Sequence, residues 1–204
     1  DAAVPLYEKM VKMSPRKADL HLRLGMAYAE LKKPDRAAAS YQTAIRLGAK
    51  DPRIQQNLAQ AYSQAGKRKE TIAIYEKMAA TKPTAEILNV LVEAYMEEKL
   101  YDKAIVTYRK LIELNPKKAA IYSSLAYVYG LKGDVDRQIA YYRMSLRLDP
   151  EDDEVYGNLG VAYEKKGLFP DALEAYTKAF ELNPDATRAA RKIPELRIRI
   201  MQQK

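Results

Sequence analysis

Apolar residues recur along this chain at helical spacing, and the pattern itself recurs. Leu24-Gly25-Tyr28, Leu58-Ala59-Tyr62, Leu91-Val92-Tyr95, Leu125-Ala126-Tyr129 and Leu159-Gly160-Tyr163 all read i, i+1, i+4. Their tyrosines are spaced 34, 33, 34 and 34 residues apart. A second series, Tyr7, Tyr41, Tyr75, Tyr108, Tyr142 and Tyr176, has spacings of 34, 34, 33, 34 and 34. Around it, Ala37-Tyr41-Ala44 and Ala172-Tyr176-Ala179 read i, i+4, i+7. Two interleaved series with the same drift define one period, and each period holds two amphipathic helices of about 14 residues, roughly 21 Å long. Short breakers separate the two, such as Ala65-Gly66-Lys67, Lys132-Gly133-Asp134 and Lys166-Gly167-Leu168, where glycine can take the left-handed, helix-ending conformation. Pro83, Pro116, Pro150 and Pro184 punctuate the ends of second helices, because proline cannot continue the hydrogen-bond ladder.

A lone helical hairpin cannot bury its apolar stripe, whereas stacked hairpins share one continuous core. The pattern therefore predicts an all-α solenoid. These residues resemble the tetratricopeptide repeat (TPR) family, with repeats expected at 18–51, 52–84, 85–118, 119–152 and 153–186. The last carries Tyr156, Leu159, Gly160, Tyr163, Ala172, Tyr176, Ala179 and Pro184, nearly a consensus unit. Departures are the large Val92 at a close approach, Thr71 and Gln138 where alanine is usual, and Ala49 for the terminal proline of the first repeat, with Pro52 opening the next. The resemblance implies a right-handed superhelix of about five and a half repeats plus a C-terminal helix.

The ends carry separate expectations. Ala3, Tyr7, Met10 and Pro15 match a second helix, so residues 1–17 read as half of a repeat whose first helix is missing. The expectation is a fragment of a longer protein or a mature product, the alternative a simple cap. Val4, Met10 and Val11 are expected to expose an apolar strip there, making self-association through this helix a candidate. Residues 187–204 read as a basic capping helix interrupted at Pro194, with Ile193, Leu196 and Ile200 turned inward.

Composition narrows the chemistry. With no cysteine and one histidine, thiolate sites, disulfides and multi-histidine metal sites are excluded. His21 sits where bulky core residues are usual and reads as a packed side chain. Neither G-x-G-x-x-G nor G-x-x-x-x-G-K occurs, no cofactor is expected, and nothing assembles a nucleophile, base and oxyanion donor. No apolar run approaches the roughly 20 residues that span a bilayer, so no membrane insertion is expected. The net charge of +8 is polarised: residues 1–84 hold sixteen basic and eight acidic residues, 85–186 thirteen and eighteen, and 187–204 six and one. One continuous basic face, the usual mark of a nucleic-acid binder, is not what this describes.

The resemblance places function on the first helices, which line a groove that takes peptides or partner segments. Carried over residue by residue, the groove-facing candidates are Leu22, Met26, Gln56, Gln60, Asn89, Glu93, Met96, Ser123, Tyr127 and Asn158. Tyr127 is the aromatic anchor candidate, since it is not a repeat-core position. Gln55, Gln56, Gln60 and Gln64 suit the backbone of an extended peptide. Arg188 and Lys192 are candidate anion contacts, although the carboxylate-gripping set of some relatives is not matched at Ser123 and Tyr127. The implied function is a non-enzymatic protein-interaction scaffold with a protein or peptide partner. The alternatives are an accessory segment of a larger enzyme or of an envelope or secretion assembly, and a nucleic-acid-binding helical repeat.

Overall fold

The computed structural model describes residues 3–51 and 53–202, so Pro52 lies outside the described residues. Helices are α1 (Ala3–Met13), α2 (Ala18–Glu30), α3 (Pro34–Arg46), α4 (Ile54–Gln64), α5 (Arg68–Thr81), α6 (Ala85–Glu97), α7 (Tyr101–Leu114), α8 (Ala119–Leu131), α9 (Val135–Leu148), α10 (Asp153–Lys166), α11 (Phe169–Leu182) and α12 (Thr187–Gln202). No strand occurs among the described residues. The chain divides into two compact units, Asp1–Ala94 and Tyr95–Lys204.

A single backbone device makes every hairpin. One or two residues after each first helix stands a residue with positive φ: Lys32, Gly66, Lys99, Gly133 and Gly167, spaced 34, 33, 34 and 34 apart. The next amide donates back to a tyrosine carbonyl, as from Lys33 to Tyr28 (2.9 Å), Leu100 to Tyr95 (2.8 Å) and Leu168 to Tyr163 (2.9 Å). That bond, five residues back, closes the helix end and turns the chain into its antiparallel partner. Three of the turns use glycine, which takes the left-handed conformation without strain. The other two use lysine, and the sequence pattern gave no sign of them. Second helices end two residues before Pro83, Pro116, Pro150 and Pro184.

In unit 1, α2 packs on α1 and α3, and α4 packs on α3 and α5. The α2–α3 seam depends on Gly25, where a Cβ would stand 2.7 Å from the Tyr41 ring. Val92, large for its place, is accommodated at 5% exposure. Val4 belongs to the core at 7% exposure rather than to an exposed strip, because α1 turns it against α2. Val11 is also packed on that core, and the apolar side chains that α1 does expose are Leu6, Met10 and Met13. His21 is half-buried, its Nε2 bonded to the Pro15 carbonyl at 2.9 Å.

In unit 2, α8–α9 and α10–α11 form the central hairpins, with α7 packed on α8, α9 on α10 and α12 on α11. At the α10–α11 crossing a Cβ on Gly160 would stand 2.9 Å from the Tyr176 ring. The helix α12 runs through Pro194 instead of breaking there. Proline deletes one backbone donor, but Ile193 packs on α11 and Ala189 and Leu196 are buried at 2% exposure, which holds the helix together across the gap. Asp134 and Asp152 cap α9 and α10 by accepting from Arg137 N (3.1 Å) and Val155 N (2.9 Å).

Candidate functional site

The buried tyrosines of the first helices are tied across hairpins. Three hydroxyls each meet a side chain twenty residues upstream: Tyr28 donates to Glu8, Gln42 donates to Tyr62, and Arg109 Nη2 donates to Tyr129 at 2.7 Å. Cations from the following helix cover the rings, Arg36 lying 5.6 Å from the Tyr28 centroid and Arg137 5.5 Å from that of Tyr129. Exposed ion pairs recur as well, Lys67–Asp35 in unit 1 and Lys132–Asp102 and Lys166–Asp136 in unit 2. Being solvated, these pairs add little to stability. The tyrosine ties hold each of these first helices to the second helix before it.

In unit 1, α2 and α4 border a cleft of about 330 Å³ floored by Tyr41 and Ala61. Met26, Ala29 and Glu30 form one wall; Asn57, Gln60 and Gln64 form the other. Met26 is 45% exposed. Burial pushes the Tyr41 hydroxyl's pKa up, with the Glu30 charge adding to the effect, so the floor is a neutral phenol. Leu22 does not face this cleft; it is buried in the unit 1 core at 9% exposure. Gln56 is exposed without lining the cleft, and Asn89 and Glu93 are exposed on α6. Met96, in unit 2, is half-buried.

In unit 2 the first-helix face gathers around Tyr142. Burial raises that hydroxyl's pKa, and a bond from Gln138 offsets part of the rise. Tyr127 is 54% exposed. Arg188 Nη1 donates to Asn158 Oδ1 at 3.2 Å, which joins α12 to α10. Ser123 is half-buried and donates to its own helix at Ala120 O, 3.2 Å. Asn158 and Arg188 thus come together, and Tyr127 is exposed on α8. Lys192 is committed elsewhere: its Nζ lies 3.0 Å from Glu164 and 3.2 Å from Glu195, and these bonds raise its pKa. With two carboxylates at hand, Lys192 offers no uncompensated charge to an anion.

A second feature of unit 2 was not foreseen. Between α9 and α11, over α10, lies a cleft of about 830 Å³ lined by second-helix charges. Arg143 and Arg147 recur four apart on α9, and Asp171 and Glu174 three apart on α11. That spacing puts each pair on one helix face, but sequence alone does not say that the two faces oppose each other.

Among the described residues no group of three or more His, Cys, Asp or Glu could hold a metal, and no helix is long and apolar enough to cross a membrane. Sequence models of the tetratricopeptide repeat match residues 1–52, 52–84, 119–152 and 154–186, and a further TPR repeat model matches 93–133. The chain belongs to the tetratricopeptide-repeat family. Its fold is accordingly the all-α helical-repeat solenoid. No curated protein matches the sequence. Among solved structures, this TPR chain is similar to YrrB, described as a TPR protein with an unusual peptide-binding site, at 19% identity and a TM-score of 0.65, over 91% of this chain and 96% of that one. It is similar to MamA at 23% identity and a TM-score of 0.64, over 84% and 94%. It also matches a structure of Naa15/Naa10 bound to HypK-THB at 16% identity and a TM-score of 0.81, over 94% of this chain and 30% of that one. At these identities the likeness is one of fold. Protein–protein interaction is typical of TPR proteins.

Proposed function

We propose that this TPR chain is a non-enzymatic scaffold that binds a peptide or partner-protein segment on its first-helix faces. The observation that carries the reading is the unit 1 cleft. There Met26 supplies an apolar contact, while Gln60, Gln64 and Asn57 offer amide donors and acceptors over the Tyr41 floor. An apolar surface with a few convergent amides suits an extended backbone, since each amide can donate to a carbonyl and accept from an N–H. In unit 2, exposed Tyr127 offers an aromatic anchor and the Asn158–Arg188 pair a polar contact. We read the repeats as 18–51, 52–84, 85–118, 119–152 and 153–186, with the first helix of each contributing to the binding face.

A peptide array screened with the chain, followed by titration of the best peptide, tests this. Gln60→Ala and Tyr127→Ala are surface changes expected to leave folding intact and to weaken binding by about tenfold for a contact worth roughly 1–2 kcal/mol. Unchanged affinity in both variants means that the first-helix faces are not the binding site.

A further inference from the structure

The α9–α11 cleft differs from the rest of the molecule in two independent ways. The first is a missing tie. Tyr163 occupies the place held by Tyr28, Tyr62 and Tyr129, and the residue twenty upstream is Arg143. Yet among the described residues no hydrogen bond joins Arg143 to the Tyr163 hydroxyl, whereas the hydroxyls of Tyr28, Tyr62 and Tyr129 are each tied to the side chain twenty upstream. Tyr163 lines the cleft together with Arg143, Asp171 and Glu174.

The second is charge segregation. The α9 wall carries Arg143 and Arg147; the α11 wall carries Asp171, Glu174 and Glu181. On α11, Lys178 is taken up by Glu181 at 3.2 Å. Among the described residues Arg143, Arg147, Asp171 and Glu174 make no ion pair within 4 Å, although elsewhere in unit 2 lysines and aspartates of successive hairpins do pair. The walls thus hold opposite charges too far apart to neutralise each other. Between them the floor is Tyr156 and Leu159, flanked by Leu146.

We propose that this cleft docks a short extended polypeptide segment of alternating charge, with acidic side chains toward α9, basic side chains toward α11 and its backbone over Tyr156 and Leu159. The charges select this occupant. A polyanion such as nucleic acid meets the carboxylates of α11, and a polycation meets the arginines of α9; only a ligand with both signs across its width satisfies both walls. In an extended segment successive side chains point to opposite sides, so simple acid–base alternation delivers that arrangement. The walls are fourteen-residue helices. Six or seven extended residues span their length of about 21 Å. The Tyr163 hydroxyl, untied to its own chain, is placed to bond the segment's backbone. This surface is distinct from the first-helix faces, and the inference stands whether or not those bind.

The test is a titration of the isotope-labelled chain, read residue by residue by NMR, with three terminally blocked heptapeptides. One alternates Glu and Lys; the others carry only Glu or only Lys. The alternating peptide is expected to shift Arg143, Tyr156, Tyr163 and Glu174 and to bind about tenfold more tightly than either single-sign peptide. Arg143→Glu and, separately, Glu174→Arg are each expected to weaken it by about tenfold. Either variant alone suffices if the other fails to fold, which the same spectra report. The proposal is overturned if all three peptides bind alike, if the all-Glu peptide binds best, if no peptide shifts these residues at millimolar concentration, or if shifts are confined to the faces around Gln60 or Tyr127.

Discussion

The hairpins α8–α9 and α10–α11 solve the same packing problem with different materials. In α10–α11 the seam is Gly160 against the Tyr176 ring, with Ala172 and Ala179 at 0% and 1% exposure. In α8–α9 the corresponding residues are Ala126, Tyr142, Gln138 and Ser145. Two polar side chains stand where the other hairpin has alanines, and both are buried, Gln138 at 5% and Ser145 at 1% exposure. Ser145 is satisfied by donating to Ala119 O at 2.9 Å. Gln138 bonds Tyr142 but leaves its Oε1 without a partner. Room for this amide comes from Gly130, where a Cβ would stand 2.3 Å from Gln138 Nε2. A hairpin seam therefore accepts a polar substitution where a carbonyl lies in reach, or where a glycine on the facing helix yields space.

The sharpest way to break the comparison is steric. Gly160→Leu drives a branched side chain into the Tyr176 ring, and a loss of about 1–3 kcal/mol is expected in a thermal or urea unfolding experiment. An unchanged melting temperature contradicts the seam as described. Alkaline titration separates the two tyrosines. Burial raises both hydroxyl pKa values; the bond to Glu164 raises that of Tyr176 further, while the Gln138 bond lowers that of Tyr142. A phenol with a raised folded pKa contributes stability that is complete below the unfolded value of about 10 and lost as pH climbs toward the folded one. Between the two values each such group is expected to cost up to about 1.4 kcal/mol per pH unit. Tyr176→Phe should flatten the loss more than Tyr142→Phe; equal slopes refute the asymmetry.

Next in size is the coupling between Gly130 and Gln138. Gly130→Ala alone is expected to destabilise by about 1 kcal/mol, and Gln138→Ala in the same chain to recover most of it. Strict additivity across the cycle means that the two do not share space. The smallest effect concerns the turns. Both of these hairpins turn on glycines, Gly133 and Gly167, whereas α2–α3 and α6–α7 turn on Lys32 and Lys99 with φ of 53° and 56°. Lys99→Gly relieves a left-handed side-chain residue and is expected to raise stability by up to about 1 kcal/mol. A lower urea midpoint runs against this account of the turn.

Tyrosine and alanine periodicity made the helices and hairpin order readable, because each helix buries one stripe and the stripe is written in sequence. Leu22, Val4 and Pro194 were not readable to the same depth. Leu22 sits one step around its helix from an exposed position, and Val4 is turned inward by α1 packing on α2. Pro194 survives inside α12 because flanking burial outweighs a lost donor. The lysine turns escaped notice because the left-handed conformation is written plainly only when glycine adopts it. Among site candidates, the convergence of Met26 and Gln60 followed from the repeat, while the commitment of Lys192 to Glu164 and Glu195 depended on side-chain reach. The second-helix cleft was hidden for a related reason: charges on α9 and α11 look like ordinary solvated faces until the distance between the helices is known.

The glycine turns have an evolutionary corollary. At Gly66, Gly133 and Gly167 an added Cβ would meet nothing within 4 Å. A chain that doubles back in open solvent at a fixed interval can admit a graft there without disturbing the hairpin on either side. Those three points are where natural lengthening, or an engineered reporter, finds the least resistance.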